Sequence, residues 1–269
     1  MDYEERQAKK SEWGPSAWLM REDGPRTFAD EALIKLRHEI VTGHFEPGEK
    51  LRPDLLEQQY GIGRNPIREA LSRLAVEGLV RGEGQRGFQA APVSRKELLD
   101  IADLRRTLST MALTRSIQMG DENWEADVVA AYHRMSRMEK TLSGDPADYA
   151  DEWEKRNSAF HAALESACGS PWLRHFCAIL YEQSERYRRS AVRYPQLRPA
   201  IHTEHRAIME ACITRDEAKA CRLLGDHIMA GAKATLVILE AREAGTSGKP
   251  ARKKARAVPK AKPKRRAQK

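Results

Sequence analysis

The chain has 269 residues, with 47 Lys and Arg against 39 Asp and Glu, and a formal net charge of +8. That length suits one large domain or two small ones with tails, and a 41% hydrophobic share can fill a core while 32% charge keeps the surface solvated. Thirteen prolines and 17 glycines exclude a fibrous or wholly unfolded chain, the lack of about 18 consecutive apolar residues excludes a membrane-spanning helix, and the polar start Met1-Asp2-Tyr3-Glu4-Glu5-Arg6 is no secretory signal.

Residues 1–26, with Gly14-Pro15, Gly24-Pro25, Trp13 and Trp18, read as a flexible leader. From Phe28 the stripe Leu33, Ile34, Leu36, Ile40 and Val41 predicts a helix ended by Gly43. His44 to Glu49 is a turn punctuated by Pro47-Gly48. Leu51–Tyr60 predicts a second helix, with Pro53 tolerated in its first turn. Gly61-Ile62-Gly63 breaks it, and Asn65–Gly78 follows as a third helix with Ile67, Ala70, Leu71, Leu74 and Ala75 on one face. Two short helices across a glycine turn are a helix-turn-helix signal. The strand-like runs 79–81 and 87–90 around Gly82–Arg86 add a wing, so residues 27–92 read as a winged helix-turn-helix DNA-binding domain.

Beyond residue 92 the strand signals vanish. Helices are predicted over Arg95–Met119, Glu122–Leu142, Tyr149–Cys168, Pro171–Tyr194, Arg198–Arg215 and Asp216–Glu240. Short connections between them imply an antiparallel bundle over 93–240. The fold class is therefore mainly α. Cys168, Cys177, Cys212 and Cys221 lie within helical patterns without a C-x-x-C pair, and are expected to be reduced; the expected compartment is the cytoplasm.

The positive charge is not spread evenly. Residues 241–269 hold 12 Lys and Arg against the single acid Glu243, whereas residues 1–240 carry a net −3. A segment this rich in Lys, Arg, Ala and Pro is expected to be disordered, either as a solvating extension or as a phosphate-binding arm. Specific DNA recognition must rest on individually placed arginines.

Lys50-Leu51-Arg52, Gly61-Ile62-Gly63-Arg64-Asn65-Pro66-Ile67-Arg68-Glu69-Ala70-Leu71 and Leu74-Ala75-Val76-Glu77-Gly78-Leu79-Val80 resemble the reading head of GntR-type regulators. The all-helical second domain is similar to the FCD effector module of the FadR branch. A recognition helix reads bases near its N-terminus, and arginine offers a bidentate fork for guanine or phosphate. The resemblance implies base contacts from Arg64 and Arg68 with Asn65 beside them, a backbone contact from Arg52, and a wing-tip contact at Arg86-Gly87. Arg73 is a further candidate for phosphate. Gly63 stands where the family usually has Ser, which removes an N-cap hydroxyl at a cost of about 1 kcal/mol.

In the second domain Asn157 and His161 lie at i, i+4, and His205 and His227 fall on later helices. A lone buried histidine is usually a core residue, but these match the FCD metal motif, with Asn157 in place of the usual Asp. The resemblance therefore implies a divalent metal (zinc, nickel or manganese) on Asn157, His161, His205 and His227, with His202 as a weaker substitute. It also implies that Arg105 faces the effector cavity, where its fork suits a carboxylate, with Arg106 as fallback. Gly120–Val128 and Phe160–Ala163 through Cys168-Gly169-Ser170 further resemble the carbon-starvation-induced repressor subgroup, some of whose members sense glutarate.

The function expected is a ligand-responsive regulator, most simply a repressor. It would bind a pseudo-palindromic double-stranded operator as a homodimer, answer to a small organic acid, and have no membrane partner. Two alternatives compete: a metal-dependent hydrolase built on the same four residues, and an architectural DNA binder driven by the tail.

Overall fold

The computed structural model describes residues 27–82, 87–141, 149–192 and 200–243. The leader 1–26, Arg86 at the wing tip and the tail from residue 244 onward lie outside them. Helix α1 (Phe28–Val41) starts where the Thr27 hydroxyl accepts the Asp30 N–H at 3.1 Å. Its buried face of Ala32, Leu33, Leu36 and Ile40 packs on α3 (Arg64–Val76), which answers with Ile67, Ala70, Leu71 and Leu74. Between them in the chain comes α2 (Pro53–Tyr60), which packs on α3 and is closed by Gly61 in the left-handed region at φ 67°, which an L side chain rarely adopts.

Several helix ends differ from the sequence expectation by up to three residues, and one difference changes the element. Leu51, expected to open α2, instead forms a strand with Lys50, β1 (Lys50–Leu51). It pairs with β3 (Phe88–Ala90), which also pairs antiparallel with β2 (Val80–Gly82), giving the sheet order β1-β3-β2. Proline explains the boundary. Pro53 has no N–H and its ring disfavours helical backbone at the residue before it, so Arg52 stays extended and the helix can begin only at Pro53. The buried Leu51 side chain then joins the core of the head instead of starting a turn.

The remaining helices form a bundle: α4 (Arg95–Met119), α5 (Glu122–Thr141), α6 (Ala150–Glu165), α7 (Pro171–Val192), α8 (Ile201–Ile213) and α9 (Glu217–Glu243). The last runs three residues past the expected end at Glu240. Helix α4 packs on α7 and α9, α5 on α6 and α8, and α8 on α9. Leu113, Met135, Phe160, Leu164, Ile208 and Leu224 sit fully buried at the centre of one cluster, each stabilising by roughly 1.5–3 kcal/mol. Arg215 has the left-handed φ of 56°, and from that corner its guanidinium reaches Glu125 at 2.6 Å and the Gly120 carbonyl at 2.9 Å, clasping two turns together. All four cysteines are free; three are buried and Cys221 is half-buried. Among the described residues no helix is long and apolar enough to cross a membrane.

Candidate nucleic-acid interface and metal centre

The exposed side of α3 carries Arg64, Asn65, Arg68, Glu69 and Ser72, because its apolar residues take the opposite face. Gly63 occupies the N-cap and supplies no side-chain hydrogen bond, so the first N–H groups of α3 remain open to an anion. Arg64 is held by Glu57 of α2 at 3.2 Å, and Arg52 by Asp54 at 2.8 Å. Both pairs are exposed, and such pairs are weak enough for a phosphate or base to replace the carboxylate. Gly87, at φ 93°, enters β3 beside the wing. Arg73 sits differently: its guanidinium turns inward to Asp30 of α1 at 2.9 Å, tying α3 to α1.

In the bundle, one imidazole comes from each of α6, α8 and α9. His161, His205 and His227 are all buried, with a ligating atom of each within 4.8 Å of the others, so the three can hold a metal ion. Burial, reinforced by the nearby Arg105 charge, pushes the His161 pKa well below the usual histidine range and keeps the ring neutral, as a ligand must be. Glu204 of α8 lies 2.8 Å from His227 Nδ1, so the proton stays on that nitrogen and Nε2 is left as the donor atom. His202 is exposed on α8 and outside the cluster.

Asn157 lies one turn before His161 on α6, with its Nδ2 donating to Tyr181 Oη at 2.8 Å. Its Oδ1 and the His161 Nε2 are both buried without a hydrogen-bond partner among the described residues. Two orphaned acceptors beside a histidine cluster fit a cation, since burying them unpaired costs about 1–3 kcal/mol each.

Next to this centre lies a cavity of about 30 Å³, lined in part by Arg105, Ser184, Arg188, His227 and Thr235. Arg105 is buried, stacks on the Tyr181 ring at 4.6 Å, and its only hydrogen-bond partner among the described residues is Ser184 Oγ, at 3.5 Å. Burial, helped by the Arg188 charge, lowers its pKa to about 10, which still leaves it charged at neutrality. Arg188 stacks on the same ring at 4.1 Å and is hydrogen-bonded to the buried Glu154. Burial works against the Arg188 charge, but Glu154 outweighs it, and the guanidinium is held more firmly protonated than usual. Of the two cations, Arg188 has its carboxylate and Arg105 has no ion-pair partner among the described residues. Arg106, the fallback, is exposed and paired with Asp103 at 2.6 Å.

Sequence reasoning missed Glu154, Tyr181, Ser184, Arg188 and Glu204. Glu154, Asn157 and His161 share the spacing i, i+3, i+7, as do Tyr181, Ser184 and Arg188, so each set lies along one helix face. That periodicity was a usable signal. Nothing in the sequence joins Glu204 to His227.

Residues 28–89 match the gntR family of bacterial regulatory proteins, and residues 100–230 match the FCD domain. The chain is 37% identical over 203 residues to the HTH-type transcriptional regulator BphR of Paraburkholderia xenovorans (strain LB400), covering 76% of this chain and 83% of that one. It is 37% identical over 198 residues to the HTH-type transcriptional repressor GlaR of Escherichia coli (strain K12), covering 72% and 89%. Among solved structures, E. coli McbR/YncC shares the fold with a TM-score of 0.62 at 18% identity, over 81% of this chain and all of that one.

Proposed function

Because the chain belongs to the GntR family of bacterial regulatory proteins and carries an FCD domain behind its reading head, we propose that this transcriptional regulator is a dimeric, metal-containing repressor released or secured by a small dicarboxylate of the glutarate type. The observation that carries the effector reading is the pairing of two incomplete half-sites. On one side Asn157 Oδ1 and His161 Nε2 have no hydrogen-bond partner among the described residues; on the other the buried Arg105 has no ion-pair partner among them, and the cavity between α4, α7 and α9 is lined both by Arg105 and by His227 of the metal centre. A divalent metal held by Asn157, His161, His205 and His227 supplies a Lewis-acid anchor for one carboxylate, whether zinc, nickel or manganese. Arg105 offers the fork for an acid group. Glutarate is favoured by the resemblance of residues 120–128 and 160–170 to glutarate-sensing repressors.

On DNA, Arg64, Asn65 and Arg68 are the base-reading set, with Arg52 on the backbone and Gly87 at the wing. Support comes from their exposure along one side of α3 and from the weak pairs that hold Arg52 and Arg64. Arg73 is committed to Asp30 and contributes by bracing α3. A single recognition helix reads too few bases for useful specificity, which argues for a second copy and a pseudo-palindromic operator. An exposed apolar stripe suits that second copy: Leu104, Met111 and Met119 on α4, beside Trp172 and Phe176 on the adjoining α7. Such a regulator works in the cytoplasm, where the chromosome lies. The hydrolase alternative has no support from a family of regulators, and the architectural alternative rests on a tail outside the described residues.

A thermal-shift screen of small dicarboxylates, with and without zinc and with a chelator control, tests this reading. Stabilisation that needs both acid and metal is expected. No shift with any acid in either condition sinks the effector assignment.

A further inference from the structure

Helix α7 lines the effector cavity and also reaches the C-cap residue of the recognition helix. Its Tyr181 accepts the Asn157 hydrogen bond, and its Ser184, Tyr187 and Arg188 line the cavity. Successive residues on a helix point about 100° apart, so Glu182 and Gln183 face another way, towards the head. There Arg37 of α1 is clamped between two carboxylates: its Nη1 donates to Glu182 at 3.1 Å, and its Nη2 forms an ion pair with Glu77 at 2.6 Å. Glu77 is the C-cap residue of α3, and its carbonyl also accepts a hydrogen bond from Gln183. Arg37 has a side chain only 12% exposed, so this seam is well shielded from water.

We propose that α7 is the strut by which the cavity sets the pose of the recognition helix, with the Arg37–Glu182 pair as its coupling contact. This rests on reading the cavity as the effector pocket, and adds how its occupancy reaches the DNA. The physical reason is room. A cavity of about 30 Å³ holds one or two water molecules, so an entering acid must push its lining apart, and α7 contributes Ser184, Tyr187 and Arg188 to that lining. Packed helices shift as units, and a helix pushed from one face carries its other face along. Movement of Ser184 and Arg188 therefore moves Glu182 and Gln183, and with them the C-terminal end of α3. The arrangement supplies two discrete contacts through which a binding event in the bundle is felt at the reading face.

The test is a double-mutant cycle on the full chain, with no effector added. The pocket-side change is Tyr181→Phe, the seam-side change is Glu182→Gln, and the probe is a duplex selected from a random pool by the wild-type protein. Thermal melts establish folding, and Ser184→Val serves as the second pocket variant should Tyr181→Phe not fold. The pocket change is expected to alter DNA affinity by about fivefold or more in the wild-type background and by less than about twofold in the Glu182→Gln background. An equal factor in both backgrounds, or no effect of either pocket change in the wild type, overturns the strut. Failure of the acid and metal screen together with intact mutational coupling would remove the effector reading and leave the strut standing.

Discussion

Tyr181 Oη accepts the Asn157 Nδ2 hydrogen at 2.8 Å while donating its own proton to Glu154 at 2.9 Å. A hydroxyl has one proton to give, and the Glu154 carboxylate, ion-paired with Arg188, accepts it. The amide must therefore present its Nδ2 to the tyrosine, which leaves the buried Oδ1 without a hydrogen-bond partner among the described residues. A residue one helix away thus fixes which end of Asn157 is available as a donor.

The first prediction concerns that donor. Asn157→Ala is expected to weaken zinc binding by about 10–100-fold, and Asn157→Asp to strengthen it by about 10-fold through the added charge. Competition against a chromophoric chelator reads both. Equal affinity in all three proteins would remove Asn157 from the ligand set.

Arg105→Met removes the one buried guanidinium without an ion-pair partner among the described residues. The acid-dependent part of the thermal shift should vanish, while the zinc-dependent part survives. Because an unpaired buried charge is also relieved, melting of the unliganded protein is expected to change by no more than about 1 kcal/mol. Retention of the full acid shift would exclude Arg105 as the carboxylate anchor.

At the DNA face, Arg68→Ala is expected to cost about 1–3 kcal/mol on the selected duplex and far less on a scrambled one. Arg52→Ala should weaken both duplexes alike and lower the salt slope by about one. Anisotropy titrations over a salt series separate the two patterns. Interchanged behaviour would exchange the base-reading and backbone roles.

The apolar stripe predicts the assembly. Trp172→Glu with Met111→Glu places two charges on exposed positions of α7 and α4, so folding should be preserved. Sedimentation is expected to shift from dimer to monomer, with at least about 100-fold loss of affinity for a two-half-site duplex. A variant that stays dimeric would place the contact elsewhere.

The seam predicts a pH dependence. Glu182 is raised to about 7, chiefly by burial and further by Glu77 and Glu185, with Arg37 opposing. A carboxyl with a raised folded pKa binds its proton more tightly in the native state than in the unfolded chain. Its stabilising contribution is thus complete below the ordinary carboxylate range near 4.5 and is lost as pH rises through about 7. Between about pH 5 and about pH 8 the wild type should lose about 2 kcal/mol of stability relative to Glu182→Gln. Parallel denaturation curves across that range would contradict the shift.

The sequence alone determined whatever depends on local pattern. Period-3.6 apolar spacing set the helices, Gly61-Ile62-Gly63 set the turn before the recognition helix, and the charge count separated a basic tail from a mildly acidic body. The strand at Lys50–Leu51 escaped that reading because two residues carry no period, and their pairing partners, Gln89 and Phe88, lie far along the chain. Only the tertiary structure could bring His161, His205 and His227 within reach of one another, since they lie on three helices, and turn Arg73 inward to Asp30. It alone joined Tyr181 to Asn157, Glu204 to His227 and Arg37 to Glu182. Hydrogen bonds and ion pairs act over a few ångströms of space, whatever the separation along the chain, so the partners that tune a site stay hidden until the chain has packed.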